Sequence, residues 1–174
     1  MIHLGVSQKI NMRILRNIFG FRKSAGPFPR TEQKKHLEAL IDATLPFAEI
    51  MLKNHQEFHP YGATMAPDKV ITNVGGATAD GNPAAGDLIF LIRKAYREQA
   101  CSGEIMASAL AYDIRTIPPG STEKKDAVAI ELDHRDGMSI IMIYPYVINS
   151  ANLPVWESGY AHEGEYSVFG RNEA

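Results

Sequence analysis

The sequence predicts an α+β fold in which an antiparallel sheet of about five strands is covered by two main helices. Three observations predict it. Residues 126–148 read as two strands joined by a tight turn at Arg135-Asp136-Gly137. Two stretches, one from about Thr31 and one from about Asp87, repeat apolar residues at three- and four-residue spacing, the mark of a buried helical stripe. The strands come in runs rather than alternating singly with helices, which favours antiparallel pairing over a parallel sheet of strand–helix–strand units. The element order is α-β-β-α-β-β-β.

In the first helix Leu37, Leu40, Ile41, Leu45, Ala48, Met51 and Leu52 form the stripe, and Thr31 has the chemistry of an N-cap. Pro46 lacks the N–H that the ladder needs, so a kink or two abutting helices is expected there, with the end before Pro60. Residues 61–73 predict a strand pair turning near Pro67-Asp68-Lys69, and residues 75–86 a loop rich in Gly, Ala, Asp and Asn. The second helix carries Leu88, Leu91, Ile92, Ala95, Tyr96 and Ala100 on one face and stops at Gly103. Residues 104–117 read as a strand, followed by a turn at Pro118-Pro119-Gly120-Ser121.

The opening hairpin then follows. Side chains alternate along a strand, so Val128, Ile130, Leu132 and His134 share one side and Ala127, Ala129, Glu131 and Asp133 the other. Residues 138–148 are apolar on both sides, which predicts a central strand covered on each face. A possible edge strand is placed at Tyr166-Ser167-Val168-Phe169. The order is similar to that of small modules of the profilin and roadblock type.

The 174 residues suit one domain with a substantial core. Residues 30–174 are read as that domain. Residues 1–29 are read as a basic arm and a Pro/Gly linker, with Met12 as an alternative start to Met1. Residues 1–30 carry six Lys or Arg and no Asp or Glu, whereas residues 31–174 carry twelve basic against twenty acidic side chains. An acidic body argues against nucleic acid as a partner. Residues 10–23 are amphipathic and basic, compatible with peripheral contact at an anionic membrane or a partner groove. No run approaches the roughly 20 apolar residues of a membrane span. The single cysteine, Cys101, precludes an internal disulfide framework and fits a reducing, cytoplasmic setting.

Motifs that carry chemistry are weak. His55 and His59 are four apart, but Gln56 stands where a zinc protease needs its general base, and Pro60 signals the helix end. Helix-end polar residues are the simpler account, and no metal or cofactor is predicted. The loop from Gly75 to Asn82 lacks the Gly-Lys-Ser/Thr ending of a phosphate cradle. Ser121-Thr122-Glu123-Lys124 matches Ser-x-x-Lys but lies in a turn rather than at a helix start. Asp113 lies in an apolar strand, where a carboxylate must be solvated, paired or protonated, and Arg115 on the same side suggests an exposed face. His134 suits a turn residue as readily as a base, and His162 lies in a polar tail. Tyr61, Tyr144, Tyr146, Trp156 and Tyr160 offer amphipathic surface for a protein contact, with core packing as the plainer alternative.

Leu45-Pro46-Phe47-Ala48, Glu57-Phe58-His59-Pro60-Tyr61-Gly62-Ala63, Tyr112-Asp113, Lys125-Asp126-Ala127 and Pro145-Tyr146 together resemble a group of small uncharacterised bacterial proteins. These carry a Pro-Phe-Ala helix followed by Glu-Phe-x-Pro-Tyr-Gly-Ala, and the likeness spans roughly residues 35–150. The group implies no activity, so no functional residue is carried over. In size and style the chain looks like immunity proteins of bacterial toxin systems. The expectation is a non-catalytic protein-binding module, with Tyr144, Tyr146 and Trp156 among its contact residues. The alternative is a small-molecule-binding protein or small enzyme with a cleft near Glu57, His59, Tyr61 and Asp113.

Overall fold

A computed structural model of the protein describes residues 31–75 and 83–170. The expectations for the basic arm, the linker and most of the glycine-rich loop lie outside those residues. Helix α1 spans Thr31–His55 and α2 spans Ala85–Cys101. The strands are β1 Tyr61–Met65, β2 Ile71–Gly75, β3 Ala107–Thr116, β4 Lys125–His134, β5 Met138–Ile148, β6 Pro154–Trp156 and β7 Tyr160–Glu163. All pairings are antiparallel. The sheet runs β2-β1-β3-β4-β5-β6, with β7 also on β5.

The α+β class and the order through β5 are as the sequence predicts. Strand β5 is interior, with β4 along one side and β6 and β7 sharing the other. Among the described residues the sheet has seven strands rather than about five, the additional β6 and β7 being only three and four residues long. Such short pieces give no readable period-two pattern. The edge strand expected at residues 166–169 is instead a turn, with Tyr166 at φ 55°. There Tyr166 N–H donates to Ser139 Oγ, Val168 N–H donates to the Asp133 carboxylate, and Ser167 C=O accepts from Arg97 Nε. These backbone groups are engaged by side chains, not by a strand ladder.

One sheet face packs on α1. Its core joins Leu37, Leu40, Ile41, Leu45 and Leu52 of the helix to Val128, Ile130, Leu132 and Met142 of the sheet. The other face carries α2 over β1 and β3, through Ile92 and Tyr96 against Leu110. Small residues set how closely the helices approach. Ala63, Ala107, Ala109 and Ala111 lie under α1. Gly62 faces the other way, where a Cβ would stand 2.1 Å from Ala109 O and 2.4 Å from Tyr96 Oη. Tyr96 Oη donates to Ala109 O at that spot, so only glycine leaves room for the bond.

Local punctuation follows from residue chemistry. Gly103 has φ 77°; its N–H bonds Ala100 O, and Glu104 N–H bonds Gln99 O. That is the paired closure expected of a glycine one residue past the C-cap, here Ser102. Gly137, at φ 78°, closes the β4–β5 turn with its N–H on His134 O. Pro46 lies inside one continuous helix, not between two.

Candidate functional site

Five of the seven sequence-predicted site residues share the sheet face that packs on α1. The register aligns Tyr61 with Ala111, and Asp113 follows two residues on, beyond the last β1 pair. Asp113 aligns with Val128, Val128 with Tyr144, and Tyr146 with both Asp126 and Trp156. Side chains in aligned positions project to the same face, which gathers Tyr61, Asp113, Tyr144, Tyr146 and Trp156. Glu57 and His59 do not join them. Both are exposed in the α1–β1 connection, where Phe58 and Pro60 take the buried positions.

Tyr61 has a structural task. Its hydroxyl donates to Thr44 C=O at 2.6 Å, tying β1 to α1 two residues before Pro46. Burial pushes its pKa up, so the phenol stays protonated. Tyr146 Oη donates to Asp113 Oδ1 at 3.0 Å, and its ring meets Trp156 edge-on with centroids 5.7 Å apart. Partial loss of water around the carboxylate raises the Asp113 pKa, the Tyr146 hydrogen bond opposes that, and Asp126 adds to it. Arg115, expected beside Asp113 on an exposed face, pairs with Asp126 at 3.1 Å. Tyr144 Oη and Trp156 Nε1 are buried without a hydrogen-bond partner. Tyr144 and Tyr146 are almost fully buried, so both belong to the core and not to an exposed contact surface.

Two polar clusters escape sequence reasoning. On the α2 side Arg93 pairs with Glu131 through both guanidinium arms, and Tyr112 Oη donates to the same carboxylate at 2.6 Å. The carboxylate raises the pKa of Arg93, while burial and then Glu131 raise that of Tyr112. This cluster ties α2 to the middle of the sheet. No sequence signal marks it, because a helix–strand pair 38 residues apart leaves no local pattern. Nearby, Thr116 and Tyr160 hydroxyls lie 3.2 Å apart. They stand on β3 and β7, with β4 and β5 between them. A flat sheet would hold those strands about 14 Å apart, so the sheet curls around Ala127, Ala129 and Ile143, the small core on this face.

The second cluster joins α1 to the β4–β5 hairpin. His36 Nδ1 lies 3.1 Å from His134 Nε2, and Asp136 N–H donates to His134 Nδ1 at 3.1 Å. The ring centroids are 5.4 Å apart with planes within 11°. With the facing nitrogens so close, the rings meet edge to edge along a hydrogen bond. That geometry leaves no room for a metal ion between them, which needs about 2.0–2.1 Å to each nitrogen along its lone pair. Among the described residues no group of three or more His, Cys, Asp or Glu could hold a metal ion. Also among them, no helix is long and apolar enough to cross a membrane. His55 ends α1 and Gln56 turns to φ 61°, so His55 and His59 do not share a helix face.

The arrangement uses its polar groups in pairs: phenol with carboxylate, guanidinium with carboxylate, imidazole with imidazole. The surface also carries exposed large apolar side chains. Phe47 and Ile50 on α1 are 46% and 53% exposed, and Phe47 is braced edge-on against the Tyr61 ring, centroids 4.7 Å apart. No family model, curated protein or solved structure matches the chain.

Proposed function

We propose that this protein is a non-catalytic protein-binding module, in the style of the immunity proteins of bacterial toxin systems. The observation that carries the reading is the Phe47–Ile50 patch. Two large apolar side chains one helical turn apart stand half-exposed, and the aromatic one is held rigid by Tyr61. Rigid aromatic anchors ringed by polar groups are the usual energetic centres of protein contacts. Asp42 is exposed on the same helix, and burial of part of its surface raises its pKa. The acidic excess of residues 31–174 suits a basic partner, since complementary charge speeds encounter and excludes wrong partners.

The pairing of the strongest acids and bases with one another also supports binding over catalysis. Glu57, His59, Tyr61 and Asp113 make no hydrogen bond among themselves; Tyr61 serves α1 and Asp113 serves Tyr146. The test is affinity capture with the full chain from the cell that makes it, beside a Phe47→Ser/Ile50→Ser variant of unchanged helix content. A stoichiometric partner held by the wild type and lost by the variant is the expected result. Capture of no stoichiometric partner, or equal capture by both, overturns the reading.

A further inference from the structure

We propose that the His36–His134 hydrogen bond is an acid-released latch holding the first turns of α1 on the β4–β5 hairpin. The proton positions follow from the hydrogen-bond chain itself. Asp136 N–H points at His134 Nδ1, so that nitrogen offers its lone pair and the neutral ring carries its proton on Nε2. Nε2–H then donates to His36 Nδ1, which places the second proton on His36 Nε2. That last N–H is buried without a partner, and the nearest carboxylate, Glu32 Oε2, is 3.9 Å away, beyond hydrogen-bond reach.

Both lone pairs of the two rings are therefore occupied, and an added proton costs a bond wherever it lands. On His36 Nδ1 it sets two N–H groups head to head. On His134 Nδ1 it meets Asp136 N–H and breaks the turn, with the Asp136 carboxylate 3.6 Å away as partial compensation. Released into water, both rings take up protons freely. The groups facing the pair are Glu32 on α1, Lys69 on the β1–β2 turn, and Arg135 and Asp136 on the hairpin turn. Lys69 and Arg135 oppose a charged pair, Glu32 and Asp136 favour it, and burial of the rings decides against it. Both folded-state pKa values lie below the ordinary imidazole value. The latch contributes fully above about pH 6.5 and weakens as pH falls below it, because the released form then binds more protons.

The consequence is local. His36 precedes Leu37, a fully buried member of the α1 core, so release loosens the start of α1 while β4 stays paired on both sides. Amide hydrogen exchange of the full chain, read as protection factors from about pH 7.5 to about pH 5, tests it. The amides of Leu37, Leu40 and Ile41 should lose about tenfold or more of their protection relative to Ile130 in β4. A His36→Gln/His134→Gln variant, with no imidazole at either place, should show less than about a twofold change. In the wild type, NMR titration of the two imidazoles should share its midpoint with the shifts of those amides, which keeps the idea testable if the variant does not fold. Amides 37–41 tracking Ile130 throughout, imidazoles titrating without them, or a variant that keeps the fall would each overturn the latch.

Discussion

The Tyr61 hydroxyl donates to Thr44 C=O at 2.6 Å, on the turn of α1 that runs from Thr44 to Ala48. Pro46 sits midway between those residues and contributes no N–H of its own. The helix is one element through to His55, not two abutting helices.

Removing that hydroxyl takes a buried hydrogen bond away from Thr44 C=O. Tyr61→Phe keeps the ring, and with it the brace under Phe47, so the loss isolates the hydrogen bond. Unfolding in urea should show a destabilisation of about 1–3 kcal/mol. A change under about 0.5 kcal/mol, the range of ordinary surface substitutions, would mean that the hydrogen bond is not structural.

Two glycines should respond in opposite directions to the same substitution. Gly62→Ala drives a methyl into Ala109 O and the Tyr96 hydroxyl and should cost about 1–3 kcal/mol or more. Gly86→Ala, in the first turn of α2 with no atom within 4 Å of the added carbon, should stabilise by about 0.4–1 kcal/mol. Thermal unfolding of both variants decides. A tolerated Gly62→Ala would contradict the close seating of α2 on β1.

Asp113 carries a pH signature of its own. Its folded-state pKa is raised, chiefly by partial desolvation and further by Asp126. The folded state thus binds its proton more tightly than the unfolded chain does. Its charge disfavours folding at neutral pH, and that penalty disappears as pH falls through the folded-state value towards the unfolded one. Asp113→Asn keeps an acceptor for Tyr146 and removes the charge. The variant should be at least as stable as wild type at neutral pH, with the difference shrinking in acid. Denaturant unfolding at neutral and acid pH checks this, and a variant clearly less stable at neutral pH would contradict it.

Elements with a strong local period were legible in the sequence. The β4–β5 hairpin follows from alternation and the Arg135-Asp136-Gly137 turn, and α1 and α2 follow from their stripes. The alternation also assigned Val128, Ile130, Leu132 and His134 to one face before any coordinates. The short strands β6 and β7 were not legible, because three or four residues around Pro154 and Gly159 carry no period. Long-range pairings were not legible either. His36 and His134 are 98 residues apart, and Arg93 meets Glu131 only because α2 crosses that face of the sheet. Of the candidate site, register brought Tyr61, Asp113, Tyr144, Tyr146 and Trp156 to one face. Burial then made the tyrosines core residues, which strand alternation cannot distinguish from exposed ones when both faces are covered.

We propose that this chain acts through its surface, with the Phe47–Ile50 patch as the contact. The most direct measurement is quantitative capture by the full wild-type chain and by Phe47→Ser/Ile50→Ser, each checked for unchanged helix content. One partner at stoichiometric yield for the wild type and a loss of at least about tenfold for the variant are expected, as when a central anchor is removed. Equal yields from the two proteins, or no stoichiometric partner for either, would contradict it.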